Sequence, residues 1–304
     1  VKNSKNGISF IIPAKDEEAE IPVTIQAIQQ FASGLTYEII VINHNSSDRT
    51  GAIAESLGAR VFDKVGGTIG AARNFGAEKS IYNVLIFVDA DVSVSYEWQQ
   101  EIRAVLDKIG NNYLYMTGSH CVPPSNGSWL EKYWFSSFSQ DVTTTHLGTG
   151  HMIMSSKLFE EVGGFSEELR TGEDYDICQR AKSIGATLEN NPRLLVFHRD
   201  YPQNIVDFFK RERWHGRGDA QNLNAFFSSK VSVSALSHAV FHVFFLLALF
   251  FSDSSTVKIF TFMCLFLIPF LAARYKFKNI KFSVFMLNTM VFYVYFWARL
   301  CSVF

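Results

Sequence analysis

The chain has 304 residues, 48% hydrophobic and 19% charged, with a formal net charge of -1. That apolar share excludes a disordered chain, and the small net charge argues against a protein that grips nucleic acid by neutralising phosphates. Four cysteines (Cys121, Cys178, Cys264, Cys301) lie far apart with no C-x-x-C pair, so neither a zinc site nor a disulfide framework is signalled and a reducing compartment fits.

Val1 to Gly7 lacks the apolar core of a signal peptide, so the segment that follows is expected to stay in the cytoplasm. Ile8–Ile12 is a continuous apolar run, the pattern of a strand buried on both faces. Glu18–Phe31 follows, with Pro22 near its start and Ile21, Ile25 and Ile28 at helical spacing. Glu38–Ile42 reads as a second strand, Asp48–Leu57 as a short helix closed by Gly58, and Arg60–Phe62 as a third strand. Thr68–Lys79 is an Ala- and Gly-rich helix, and Val84–Val88 a further strand. Trp98–Ile109 is an amphipathic helix with Ile102, Val105 and Ile109 on one face. Strands alternating with helices imply an α/β domain with a mostly parallel central sheet. Ligands of such sheets bind beyond the carboxyl ends of the strands.

Polar and acidic residues gather at those ends. The first strand runs into Pro13-Ala14-Lys15-Asp16-Glu17-Glu18, the second into Asn43-His44-Asn45-Ser46-Ser47-Asp48, and the fourth into Asp89-Ala90-Asp91. A hard cation such as Mg²⁺ is held by one or two carboxylates plus substrate phosphates. Asp91 suits that task, with Asp89 reaching ribose or a metal-bound water; a plain acidic helix cap is the alternative.

Further along, Leu147-Gly-Thr-Gly-His151 precedes Met152-Ile153-Met154, and its glycines let backbone approach a ligand closely. His151 is then either an acceptor contact or a polar wall residue. Gly172 precedes Glu173-Asp174, with Tyr175, Cys178 and Ala181 at helical spacing. An acidic first turn complements a helix dipole, and the same dipole lowers a carboxylate pKa, which opposes a strong base. Reach to the reacting proton nevertheless comes first. Asp176 and Arg180, one turn apart, are expected to pair.

Composition changes near residue 230, dividing a domain of residues 1–230 from a hydrophobic tail of 231–304. The stretches Val231–Ser252, Val257–Ala273 and Phe282–Phe304 each approach the roughly 20 residues a helix needs to cross a bilayer, which gives an anchor of two to three helices. His238 and His242, one turn apart, are expected to face another helix or the interface. Lys210, Arg211, Arg213, Arg217 and Lys230 precede the first stretch, and Arg274, Lys276, Lys278 and Lys281 join the second to the third. The intervening Asp253–Thr256 carries no base. Basic loops stay inside, so both basic segments and the domain are expected in the cytoplasm. A basic amphipathic helix at about 203–220 is expected at the membrane surface. A buried helical hairpin of a soluble protein is the competing view of the tail.

Five motifs occur in order: Ile11-Ile-Pro-Ala-Lys-Asp-Glu-Glu18, Ile42-Asn-His-Asn-Ser-Ser-Asp-Arg-Thr50, Gly70-Ala-Ala-Arg-Asn-Phe-Gly76, Phe87-Val-Asp-Ala-Asp91, and Gly163-Gly-Phe165 with Gly172-Glu-Asp174. Over about residues 7 to 215 the set resembles a membrane-anchored bacterial family 2 glycosyltransferase with the GT-A fold. The resemblance implies a nucleotide-sugar donor and a divalent metal, Mg²⁺ or Mn²⁺. Pro13, Ala14, Lys15 and Glu17 would line the base, and Arg73 and Asn74 would border base or diphosphate. Within Asp89-Ala90-Asp91, Asp89 would contact ribose and Asp91 the metal. Asp174 would be the catalytic base, and Glu173 would position acceptor or donor. His198, ending Val196-Phe-His198, would be an extra metal or phosphate ligand or else structural. The segment from Phe208 to Arg217 resembles the Q-x-x-R-W signature of processive relatives, with Lys210 in place of Gln. There Arg213 would clamp a diphosphate and Trp214 would stack on a sugar.

Relatives usually carry Asp where Asn43 stands; an amide offers donor and acceptor alike, so UDP is the first choice on family frequency alone. The expected activity is inverting, metal-dependent transfer from a nucleoside-diphosphate sugar to a lipid-linked or cell-surface glycan at the inner membrane. The alternatives are a processive polysaccharide synthase and a non-catalytic membrane scaffold with a decayed transferase domain.

Overall fold

The computed structural model describes residues 5–124, 127–135, 146–219, 223–277 and 280–303. Lys278 and Phe304, both part of the expected tail, lie outside them. The chain forms two compact units, Val1–Pro124 with Phe138–Asp200 and Ser125–Ser137 with Tyr201–Phe304. The basic helix expected at about 203–220 thus falls in the same unit as the tail.

The first unit is built on the strands β1 (Lys5–Ala14), β2 (Tyr37–Asn43), β3 (Arg60–Asp63) and β4 (Tyr82–Val88), joined by helices α1 (Ile21–Phe31), α2 (Thr50–Ser56) and α3 (Ile69–Lys79). It continues through β5 (Val92–Val94), α4 (Tyr96–Asn111), β6 (Tyr115–Gly118), β7 (His151–Ser155), α5 (Ser156–Glu161), α6 (Glu173–Ser183), β8 (Thr187–Asn190) and β9 (Val196–His198). Seven strands form one sheet in the order β3-β2-β1-β4-β7-β6-β8, and β5 pairs with β9 beside it.

Strand β1 is the hinge of the topology. It pairs in parallel with β2 on one side and β4 on the other. The chain steps outward from β1 to β3, then crosses back to β4, so the order reverses between β1 and β4. Crevices at such switch points bind ligands. The two faces of β1 explain its unbroken apolar run. Ile8, Phe10 and Ile12 pack with Ile21, Ile25 and Ile28 of α1 and Trp98 and Ile102 of α4. Ile11 packs on the opposite face with Leu85, Phe87, Phe159 and Ile177. The sheet is thus sandwiched between helices, as α/β architecture requires. Strand β7 runs antiparallel to both β4 and β6.

The second unit holds α7 (Ile205–Asp219), α8 (Leu223–Ser228), α9 (Lys230–Phe251), α10 (Ser255–Cys264), α11 (Leu267–Lys276) and α12 (Phe282–Leu300), with a π-helical turn at Glu131–Phe135. By length and composition Lys230–Phe251, Ser255–Lys276 and Phe282–Val303 can each cross a membrane. The middle segment is interrupted at Leu265–Phe266. Pro269, lacking an N–H, has none to offer the Leu265 carbonyl four residues back. As expected, His242 faces another helix: its Nε2 lies 2.5 Å from the Tyr293 hydroxyl.

Candidate active site

The carboxyl ends of β1, β2 and β4 carry the polar segments, and the loops there are stitched together. Asp16 Oδ1 accepts from Ser47 N at 2.6 Å and Ser47 Oγ at 3.0 Å. Asp48 Oδ2 accepts from Glu18 N at 3.1 Å, and Thr50 Oγ1 accepts from Glu17 N at 2.7 Å. Asp16 and Asn45 both adopt positive φ, 56° and 58°. Such backbone is costly for side-chain-bearing residues and is kept where the surroundings enforce it. Pro13 and Ala14 are buried in the last turn of the strand, while Lys15 is exposed.

Past β4 the chain makes a tight turn, with Val92 N donating to Asp89 O at 3.1 Å. The turn is fixed from two sides. Buried Thr24 of α1 donates through Oγ1 to Ala90 O at 2.6 Å, and Arg199 N donates to Asp91 O at 3.1 Å. Arg199 in turn grips α1, its Nε 2.6 Å from Glu20 Oε2 and its Nη2 3.1 Å from Thr24 Oγ1. Thr24 and Arg199 are absent from the sequence-based set. The signal for Thr24 is a hydroxyl on the inward stripe of α1, between Ile21 and Ile25.

Arg73 lies at the centre, 1% exposed. Its Nη2 donates to Asp89 Oδ1 and its Nη1 to Glu173 Oε1, both at 2.8 Å. One guanidinium therefore bridges Asp89, just past β4, to Glu173 in the first turn of α6, where Asp174 follows. Both terminal nitrogens carry a carboxylate partner, so Arg73 acts as a strut between the two elements. Asn74 follows on the same helix. Its Nδ2 donates to Phe165 O and Glu167 Oε1, each at 2.9 Å, and its Oδ1 accepts from Phe165 N at 2.8 Å, so it pins the Gly163-Gly164-Phe165 turn.

Asp91 is 9% exposed. Burial, then the Asp89, Glu17 and Asp200 carboxylates, push its pKa up to about 8. Glu17 is pushed up to about 7 by burial and by Asp200, Glu20, Asp89 and Asp48. His198 Nε2 stands 3.3 Å from Asp91 Oδ2. Among the described residues no group of three or more His, Cys, Asp or Glu has metal-binding spacing. The crowd of carboxylates and the Asp91–His198 pair still fit a hard cation that completes its shell with phosphate and water, as Mg²⁺ does.

Two glycines are needed here. A Cβ at Gly150 would stand 3.3 Å from Asp89 Oδ2 and 3.1 Å from Cys121 Sγ, pressing on the carboxylate. Gly172, which precedes α6, has φ 83°, in the left-handed region that favours glycine. Glu173 is buried and its pKa raised by desolvation, with Arg73 opposing. Asp174 is half-buried and accepts from Tyr175 N at 2.7 Å. Asp176 pairs with Arg180, Nε to Oδ2 at 3.0 Å, as the spacing implies.

His151 is 1% exposed. Trp98 Nε1 donates to its Nε2 at 3.0 Å, and Ser119 Oγ lies 2.9 Å from its Nδ1. Ser119 spends its only proton on Leu194 O at 2.6 Å, so the imidazole carries its own on Nδ1. With both nitrogens engaged, His151 has nothing to offer an acceptor and belongs to the wall. Arg213 and Trp214 lie in the second unit: Arg213 Nε donates to Cys301 O at 3.1 Å, and Trp214 is exposed.

The family model described as Glycosyl transferase family 2 matches residues 9–163. The chain is 39% identical over 97 residues to 4,4'-diaponeurosporenoate glycosyltransferase of Staphylococcus haemolyticus, covering 30% of this chain and 25% of that protein. It is 26% identical over 233 residues to glycosyltransferase AglE of Haloferax volcanii, covering 70% and 73%. The chain thus spans a quarter of the first relative and nearly three quarters of the second. Among solved structures, the mannosyltransferase PcManGT of Pyrobaculum calidifontis in complex with GDP-Man and Mn²⁺ is similar, with TM-score 0.56, 12% identity and coverage of 99% and 88%. S. aureus TarS 1-349 in complex with UDP-GlcNAc is also similar, with TM-score 0.52, 16% identity and coverage of 94% and 90%. These two likenesses speak to the fold, which is GT-A-like.

Proposed function

Because the chain belongs to glycosyl transferase family 2, we propose that it is an inverting, metal-dependent enzyme that moves a sugar from a uridine-diphosphate donor to a lipid-linked or cell-surface glycan, with its first unit on the cytoplasmic side of the membrane. The observation that supports this reading is the Arg73 fork, which bridges Asp89 and Glu173, the residue before Asp174.

Asp91 and His198 would hold the cation, with Asp89 turned toward the donor's ribose. When bound, a divalent cation supplies the positive charge that makes a diphosphate a good leaving group. The residues of the chain do the remainder. Arg73 keeps Glu173 and Asp89 in register, so the acidic turn of α6 faces the anomeric carbon. Asp174 accepts the proton of the acceptor hydroxyl as that oxygen bonds to C1 and the bond from C1 to the diphosphate oxygen breaks. Attack from the face opposite the leaving group inverts the anomeric centre. Glu173, held by Arg73, positions rather than exchanges protons. Processive synthesis is disfavoured by Lys210 standing where Gln is usual.

The test supplies membranes containing the protein with labelled UDP-sugars and Mn²⁺, and measures label in the lipid and glycan fractions. Transfer is expected for one donor, with Asp174→Asn reducing turnover at least 100-fold while donor affinity stays within a few-fold. Equal losses in affinity and turnover would remove Asp174 from the base role.

A further inference from the structure

The tips of β1, β2 and β3 stand level, Ala14 beside Asn43 and Asn43 beside Asp63. From Asp89 at the end of β4, the tip of β3 is three strand spacings away, roughly 14 Å at about 4.8 Å each. That is comparable with the span from a diphosphate to the far edge of its base. Asn43, where a carboxylate is usual, does not present its amide to that edge. Its Nδ2 donates to Asp63 Oδ1 at 2.7 Å, and its Oδ1 is buried without a hydrogen-bond partner. A Cβ at Gly51 would lie 3.1 Å from Nδ2, so the glycine leaves the amide its place. Asp63 is exposed.

Resting on the transferase reading above, we propose that Asp63 is the residue that reads the donor's base, with Asn43 as the bracket that holds it. The amide occupies one carboxylate oxygen and leaves the other facing out. A single outward acceptor suits the lone imino N–H of uracil or thymine, which is flanked by two carbonyls. Guanine offers two adjacent N–H groups that call for both oxygens. Cytosine and adenine put a bare ring nitrogen there, which a carboxylate repels.

Calorimetric titration of the whole protein in detergent with Mn²⁺ and UDP, GDP, CDP or ADP tests this. The wild type is expected to bind UDP most tightly. Asp63→Ala should weaken UDP about tenfold, the loss of one charge-assisted hydrogen bond, and bring the four ligands within about threefold of one another. Asn43→Ala, which frees the second oxygen, should narrow the gap between UDP and GDP. An Asp63→Ala protein that keeps the full UDP preference overturns the assignment. A wild-type protein that binds none of the four overturns the donor reading itself, and this one with it.

An independent observation concerns the tail. Helix α11 ends at Lys276, whose ammonium stands 4.0 Å from the Trp134 ring centroid. Trp134 packs edge-on against Phe208 of α7 at 5.3 Å. Helix α12 ends beside that same helix: Arg299 Nη2 donates to Glu212 Oε2 at 3.0 Å, and Arg213 Nε donates to Cys301 O at 3.1 Å. Glu212 also receives Arg211 at 2.9 Å. These charges call for one polar layer, since ionised groups inside a bilayer are costly. A helix entered and left in the same layer has not crossed. We infer that α9 and the α10–α11 pair span the membrane while α12 returns to the α7 side. The apolar stretch of Phe282–Val303 is 33% buried within the protein, against 17% in each of the other two segments.

Single cysteines at Ser254, Lys281 and Val303, in a background with the four native cysteines replaced by serine, would be labelled with an impermeant maleimide from each side of the membrane. Lys281→Cys and Val303→Cys are expected to label together from one side, and Ser254→Cys from the other. Labelling of Val303→Cys from the same side as Ser254→Cys overturns the two-crossing arrangement.

Discussion

Arg73 and Glu173, 100 residues apart in the chain, pair at 2.8 Å with both side chains more than nine-tenths buried. Arg73→Ala leaves that carboxylate in the interior without its cation, and breaking a buried pair in this way costs about 3–5 kcal/mol. Urea denaturation should show the loss, and Arg73→Ala with Glu173→Gln should recover part of it, because the uncompensated charge is gone. A double variant no more stable than Arg73→Ala alone would place the strut's contribution elsewhere.

Trp98 and His151 make a second internal pair. Burial holds the His151 pKa down at about 3, from an ordinary 6.5. The folded state therefore binds fewer protons than the unfolded state below pH 6.5. This contribution is full above that value and declines as pH falls toward 3. Nitrogen NMR should find His151 protonated on Nδ1 and silent between pH 5 and 8. Trp98→Phe, which strips Nε2 of its donor, should cost about 1–3 kcal/mol.

Asp91 and Glu17 act with the opposite sign. Their pKa values are raised to about 8 and about 7 from ordinary values of 3.8 and 4.5. The folded, metal-free protein keeps protons that the unfolded chain has released. Their contribution is full below about pH 4 and is lost as pH rises toward 8. In EDTA, the melting temperature of Asp91→Asn should fall less between pH 5 and 8 than that of the wild type. Parallel curves for the two proteins would contradict it.

Thr24 positions the Asp89-Ala90-Asp91 turn through Ala90 O, 2.6 Å away. Thr24→Val keeps the shape and removes the donor, leaving a buried carbonyl unsatisfied at about 1–3 kcal/mol. The Mn²⁺ concentration giving half-maximal donor binding should rise several-fold, and Thr24→Ser should restore it. An unchanged Mn²⁺ requirement would limit Thr24 to a packing role.

Much of the sheet is legible in the amino-acid pattern because its strands are buried on both faces. Ile8–Ile12 and Val84–Val88 are unbroken apolar runs, and the acidic residues directly after them mark the ligand edge. Strand β6 is not legible: it has four residues and closes on Thr117-Gly118, too short and too polar to stand out. Partners are the deeper loss. The run Gly70 to Gly76 flags Arg73 and Asn74, but their bonds go to Glu173 and Phe165, residues 100 and 91 positions further along the chain. His151 stays open between two roles for a related reason, since its partners Trp98 and Ser119 arrive from other elements. The grouping of the basic helix with the tail is hidden in the same way, since its Glu212 is matched by Arg299, 87 positions away.

On the proposed mechanism, Asp91 holds a cation through which the donor's diphosphate is bound. Calorimetric titration of UDP into the wild type and Asp91→Asn, each with Mn²⁺ and with EDTA, tests it most directly. The wild type should bind at least tenfold more tightly with Mn²⁺ than with EDTA, and Asp91→Asn should show no such difference. Equal Mn²⁺ enhancement in both proteins would contradict the account.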